Sequence, residues 1–230
     1  MTKIFCDIAD INLIKKFNKK KIVKGFTTNP SLIRKAGAKN YSEYCKKILK
    51  ITKKTISFEV FADDSKSIIK QANIIKDWGR NVYVKVPVTN SKGLFLGNVI
   101  KELNKKNIKL NITAVYTADQ TSKILKKINR KSKIIISIFA GRMADKGKDP
   151  IPEFKKSIKL AKKYKNVEIL WASVREPYNF LQAKQLGCQI ITVPPSIIEK
   201  IEKFGKSFEK LTLDTVKTFL NDSKKSKFKI

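Results

Sequence analysis

The chain has 230 residues, 42% apolar and 30% charged, and its 51 Lys+Arg against 19 Asp+Glu give a formal charge of +32. A chain of this length buries most of the surface it exposes when unfolded, so it needs no disulfide or metal staple. With nine Gly and seven Pro it falls outside the collagen-like, low-complexity and disordered classes. There is no histidine, which excludes Ser-His-Asp and Cys-His catalysis, His-ligated zinc and HExxH sites; acid–base chemistry must come from Asp, Glu, Lys, Tyr or bound water.

Eight β-rich runs alternate with helical patterns along the chain. The strand expectations are Lys3–Asp7, Ile22–Thr27, Thr55–Phe61, Asn81–Val86, Ile108–Thr113, Lys133–Phe139, Val167–Ala172 and Gln189–Val193. They are nearly continuous apolar runs, as strands covered on both faces require. Ile11, Ile14 and Phe17 follow a capping Asp10 at helical spacing, and Ile68, Ile69, Ala72 and Ile75 follow Asp63-Asp64-Ser65 in the same way. Pro152 and Pro177 sit where helices would begin. The Gly- and Asp-bearing stretch Met143–Pro152 reads as a lid or a long loop, and Ser223–Lys227 as a frayed end.

Strict alternation favours a parallel α/β fold, either an open doubly wound sheet or a closed (β/α)8 TIM barrel. Eight strands in this length favour the barrel, and no Gly-rich phosphate loop follows any strand. The expected organisation is one barrel domain over 1–230, with about 205–230 forming a C-terminal helix and basic tail. No apolar run approaches the roughly 18 residues of a membrane span, and Met1–Ala9 carries Asp7 without an apolar signal core. Three scattered cysteines, Cys6, Cys45 and Cys188, suit reduced thiols and a cytoplasmic setting.

The positive charge is mostly lysine: only Arg34, Arg80, Arg130, Arg142 and Arg175 are arginines. Abundant Lys, Ile and Asn together match AT-rich coding, and the lysines are spread over the whole chain. A solvated cationic surface is therefore expected, with a field that draws anionic substrates. A nucleic-acid-binding barrel is the remote alternative; no helix-turn-helix, RNP or zinc signature supports it, so no nucleic-acid partner is expected.

A barrel carries its chemistry at the C-terminal ends of its strands. Seven of the eight runs here end in polar groups: Asp7; Thr27-Thr28-Asn29; Glu59; Lys85; Asn111 and Thr113; Ser137 and Phe139 with Arg142 beyond; Ser173 and Arg175. The eighth ends in Val193-Pro194-Pro195. Lys85 stands out because it lies within Val82-Tyr83-Val84-Lys85-Val86-Pro87. Desolvating an ammonium favours the neutral amine, which attacks carbonyls and forms a Schiff base. The bland alternative is an edge lysine that snorkels to water. Asp7 and Glu59 at equivalent strand positions favour catalysis over a purely structural ion pair with Lys85. Arg142 and Arg175 add planar forks suited to phosphate oxygens. Together these groups suggest a phosphorylated carbonyl substrate.

From Lys3 to about Lys203 the sequence resembles the transaldolase family, in its short-chain branch. The resemblance is carried by Gly25-Phe26-Thr27-Thr28-Asn29-Pro30-Ser31, Val84-Lys85-Val86-Pro87, Asn111-Ile112-Thr113-Ala114, Ser137-Ile138-Phe139-Ala140-Gly141-Arg142 and Ala172-Ser173-Val174-Arg175. It implies a Schiff-base lysine at Lys85 and neither metal nor cofactor. By resemblance, Glu59 and a water on Thr113 shuttle protons, and Asp7 takes the C4 hydroxyl proton of a ketose phosphate. Thr28, Asn29, Asn111 and Ser137 would hold the donor sugar, and Arg142, Ser173 and Arg175 its phosphate. The related fructose-6-phosphate aldolases differ in carrying Gln at the position of Glu59 and Tyr at that of Phe139. Val174 stands where the family usually has an aromatic. The branch commonly forms pentamers or decamers, and Phe208, Leu211, Leu213, Val216 and Leu220 have the apolar spacing for a helix that reaches a neighbour or packs on its own barrel.

Overall fold

A computed structural model of the chain describes residues 1–226. Its strands are β1 (Lys3–Asp7), β2 (Val23–Thr27), β3 (Thr55–Glu59), β4 (Val82–Pro87), β5 (Leu110–Val115), β6 (Ile134–Phe139), β7 (Val167–Ala172) and β8 (Ile190–Val193). Every neighbouring pair is parallel, and β1 pairs with both β2 and β8, so the sheet closes into a (β/α)8 barrel. The expected strands are all present, β1 and β7 with the expected ends and the others with ends that differ by at most two residues.

Helices connect the strands on the outside. They are α1 (Ile11–Asn18), α2 (Pro30–Lys35), α3 (Tyr41–Ile51), α4 (Ser65–Lys76), α5 (Gly97–Lys105), α6 (Ala118–Leu125), α7 (Ala140–Ala144), α8 (Ile151–Ala161), α9 (Tyr178–Gln185), α10 (Pro195–Ile201) and α11 (Phe208–Ser226). Their starts follow local chemistry. Asp10 accepts from the Leu13 amide, Asn29 from Leu32 ahead of Pro30, and Asp64 from Ser67, each satisfying an amide the first turn leaves unpaired.

Side-chain alternation splits the core in two. Outward positions such as Ile4, Cys6, Phe26, Phe58 and Val84 pack under the helices. Inward positions Phe5, Tyr83, Ile135, Leu170 and Ile190 fill the barrel as a separate apolar plug. Gly25 explains itself here: a Cβ would stand 2.7 Å from the Phe5 ring, so the ring occupies the space a side chain on β2 would need. All three cysteines are buried and free, and burial pushes the Cys45 and Cys188 thiols up to about 12.

Two expectations change. Met143 and Ala144 finish α7, and only 145–150 form a loop before α8. Ser223–Ser226 is not a frayed end but the last turn of α11, where Lys224 and Lys225 complement the helix dipole; Lys227 lies outside the described residues. The α11 helix buries none of its residues, so it does not pack into its own barrel.

Phe154 of α8 stacks on Trp171 of β7, with ring centroids 4.4 Å apart and both side chains buried. Phe154→Ala should destabilise the fold by about 3–5 kcal/mol through the cavity it leaves; urea unfolding monitored by Trp fluorescence measures the loss.

Candidate active site

The polar strand ends converge above the plug in a cavity of about 350 Å3 at the C-terminal mouth. Asp7, Asn29, Lys85, Asn111, Thr113, Ser137, Phe139, Arg142, Ser173 and Arg175 all line it. Glu59 and Thr28 do not; they back it from the side. A larger cavity of about 1040 Å3 opens at the opposite mouth among Lys3, Lys24, Lys133 and Lys165, and the plug residues Phe5, Tyr83 and Ile135 form part of its lining. It lies away from every strand-end group just named.

Lys85 is 8% exposed and does not snorkel to water. Its Nζ lies 3.0 Å from Glu59 Oε2 and donates to the Thr28 carbonyl at 3.2 Å. The ion pair weighed as the bland reading thus exists, and it sits inside the cleft system. Strand register makes it: β3 and β4 place Glu59 directly beside Lys85. Tyr41 then clamps Glu59, because its hydroxyl donates to the Glu59 carbonyl at 2.8 Å and accepts from its amide at 3.0 Å.

Asp7 sits across the barrel floor. Its Oδ1 accepts from Thr27 Oγ1 at 2.7 Å, and Thr27 in turn shares a short hydroxyl contact with Thr192 of β8. Burial pushes the Asp7 carboxyl above its ordinary value, against the opposing pull of the Thr27 hydrogen bond and the Lys85 charge. A carboxyl held this way is suited to taking up and returning a proton.

A buried amide network covers the next sector. Ser137 Oγ donates to Asn111 Oδ1 at 2.6 Å, and Asn111 Nδ2 donates to Ser57 Oγ at 3.0 Å. Thr113 Oγ1 is buried without a protein partner, a cleft hydroxyl left free to hold water or substrate. Alternation puts it on the same inward face of β5 as Asn111, and the strand is irregular here: pairing with β6 slips between Ile112 and Val115 and Ala114 adopts φ 59°.

The rim carries the two arginines. Arg142 lies over the Phe139 ring, 5.3 Å from its centroid. Ser173 ends β7 at φ 64°, a left-handed conformation that costs a non-glycine residue energy. Gly141 packs directly on that turn: a Cβ there would fall 1.7 Å from the Ser173 carbonyl oxygen. This backbone contact seats Arg142 next to Arg175, whose guanidinium is held by Asp145.

Sequence reasoning missed Tyr41, Ser57, Thr192 and Asp145. Thr192 was one residue from the end of the β8 run, in the sole strand read as ending without a polar group; inward alternation with Ile190 was the available signal.

A family model described as transaldolase/fructose-6-phosphate aldolase matches residues 4–230. The chain belongs to this family. Among its relatives, a Thermoanaerobacter sp. protein named "probable transaldolase" is 34% identical over 229 residues, covering 99% of this chain and all of that one. A Thermoplasma volcanium protein of the same name is 35% identical over 226 residues, covering 97% and 96%. An orotidine 5'-monophosphate decarboxylase structure from Metallosphaera sedula aligns with TM-score 0.58 at 11% identity, covering 88% of this chain and 96% of that one, a likeness of barrel alone. Among the described residues no helix is long and apolar enough to cross a membrane.

The raised Asp7 carboxyl has a consequence for stability. The folded state holds its proton more tightly than the unfolded chain, so stability falls as the pH rises from the ordinary carboxylate value toward the raised folded one, and the loss persists above it. That penalty vanishes below the ordinary carboxylate range. Asp7→Asn should therefore be more stable than the parent at pH 7 and lose that advantage at acid pH; paired urea titrations at the two pH values check the sign.

Proposed function

We propose that this member of the family is a transaldolase, which moves a dihydroxyacetone unit from a ketose phosphate to an aldose phosphate through a Schiff base on Lys85. The observation that carries the reading is the buried Lys85 amine beside Glu59, in a cleft that also holds Asp7 and ends in Arg142 and Arg175. Fructose 6-phosphate and sedoheptulose 7-phosphate are the donors of choice, and the non-oxidative pentose phosphate pathway is the corresponding setting.

Once Glu59 holds its proton, the Lys85 amine attacks the C2 carbonyl and forms a carbinolamine. Glu59 and a water on Thr113 relay protons so that hydroxide leaves as water and the iminium forms. Asp7 then removes the C4 hydroxyl proton. The C3–C4 bond breaks, its electron pair flows into the iminium to give an enamine, and the C4 oxygen becomes the carbonyl of the departing aldose phosphate. An acceptor aldehyde, erythrose 4-phosphate or glyceraldehyde 3-phosphate, takes the enamine carbon by the same steps reversed. Water finally releases the new ketose and the free amine. Asn29, Asn111 and Ser137, which line the cleft, would bind the donor hydroxyls, with Thr28 supporting Lys85 through its carbonyl. The phosphate falls to Arg142, Ser173 and Arg175, and its binding energy positions the reacting carbons.

The second reading is the aldolase branch, which releases dihydroxyacetone. Phe139 argues against it: its ring lines the cleft beneath Arg142 and offers no hydroxyl to protonate the enamine. For the assembly we propose a homo-oligomer, a pentamer or decamer, supported by the exposed Phe208, Leu211, Leu213, Val216 and Leu220 on α11.

Three experiments test the chemistry. Glyceraldehyde 3-phosphate release from fructose 6-phosphate should stop near one equivalent per site without acceptor and continue when erythrose 4-phosphate is added; sustained release without acceptor would mean an aldolase. Lys85→Met should abolish both turnover and borohydride trapping of the donor. Phe139→Tyr should raise the ratio of cleavage to transfer, read from the same assay.

A further inference from the structure

Arg175 does not stand free at the rim. Asp145, in the short loop after α7, takes its guanidinium from the side: Nε donates to Oδ1 at 2.9 Å and to Oδ2 at 3.2 Å, and Nη2 donates to Oδ2. Nη1 donates to the Ser173 carbonyl at 3.3 Å. A guanidinium has five N–H groups. These contacts engage one on Nε, one on Nη2 and one on Nη1. One hydrogen remains on each terminal nitrogen, leaving both terminal nitrogens able to donate to a phosphoryl group.

The backbone fixes both ends of this arrangement. Asp145 directly follows α7, whose Gly141 is locked against the Ser173 carbonyl, the same oxygen that receives Arg175 Nη1. The charges matter as well. Asp145 neutralises Arg175, while Arg142 forms no ion pair among the described residues. The rim thus offers one uncompensated cation and one oriented fork instead of two mobile cations.

We propose that Asp145 is a positioning residue for phosphate recognition, which holds Arg175 side-on so that its terminal N–H pair presents a bidentate site to the phosphoryl group of the sugar. The proposal rests on the sugar-phosphate reading of the cleft. A carboxylate that merely competed with phosphate for Arg175 would act in the opposite direction, because its removal would tighten binding.

The test compares a phosphorylated and an unphosphorylated ligand that form the same adduct. Borohydride trapping on Lys85, followed by intact mass, gives half-saturating concentrations for fructose 6-phosphate and for dihydroxyacetone. Asp145→Ala and Asp145→Asn should raise the first about tenfold, the loss of roughly one charge-assisted hydrogen bond. They should leave the second unchanged, with kcat at saturating fructose 6-phosphate largely kept. Asp145→Glu, which retains the carboxylate, should recover part of the affinity. Equal weakening for both ligands, or unchanged or tighter fructose 6-phosphate binding, overturns the positioning role. A parent chain that traps neither ligand overturns the sugar-phosphate reading and this proposal with it.

Discussion

The contact on which the site depends is the ion pair between Lys85 and Glu59, made 3.0 Å apart at the top of an apolar plug. A lone ammonium there would be costly to bury, and a lone carboxylate equally so. Neighbouring strands in register solve both problems, since Glu59 and Lys85 are direct partners across the β3–β4 ladder. The Thr28 carbonyl takes another Lys85 hydrogen, and the Tyr41 hydroxyl braces the Glu59 backbone from outside the barrel. On the proposed mechanism a structural role and a chemical role coincide in one pair, since the carboxylate that compensates the buried amine is also the group that would take its proton.

The rest of the cleft combines regular strand alternation with small departures from ideal geometry. Alternation brings Asn111 and Thr113 of β5 to one face, and the strand bulges just there, with Ala114 in the left-handed region. The turn at Ser173, pressed against Gly141, brings the ends of β6 and β7 together, so that their two arginines share one rim. The regular barrel supplies a stiff frame, and two non-glycine residues in the left-handed region, Ala114 and Ser173, stand at the cleft ends of β5 and β7.

Most of this frame was legible in the sequence. Continuous apolar runs such as Ile134–Phe139 marked strands buried on both faces, and Asp10 and Asp64 marked helix starts. Lys85 could be singled out because it lies within an apolar strand and has Asp7 and Glu59 for company at equivalent strand positions. Asp145 was hidden, because an Asp in a Gly-bearing loop reads as turn chemistry and only the fold brings it to Arg175, 30 residues later. Tyr41 was hidden for a similar reason: its value lies in a hydroxyl that meets the Glu59 backbone. Strand ends drifted by a residue or two because closure of the barrel, a long-range property, decides where pairing stops. The reach of α11 was undecided from apolar spacing alone, which is equal for a helix packed at home and one that projects.

Thr27 joins the first and last strands of the site, since its hydroxyl touches both Asp7 and Thr192, a partner 165 residues further on. That bridge gives the cleft a place in time as well as in space. While the chain is being synthesised, the residues from β1 to β7 can emerge and collapse, yet the floor under Asp7 remains open until β8 has left the ribosome and docked between its neighbours. Contacts of such sequence separation form late and slowly. Lys85 and Glu59, on adjacent strands, need no later segment to meet, whereas the Thr27–Thr192 contact behind Asp7 needs β8, and a truncated chain that stops short of β8 would lack it.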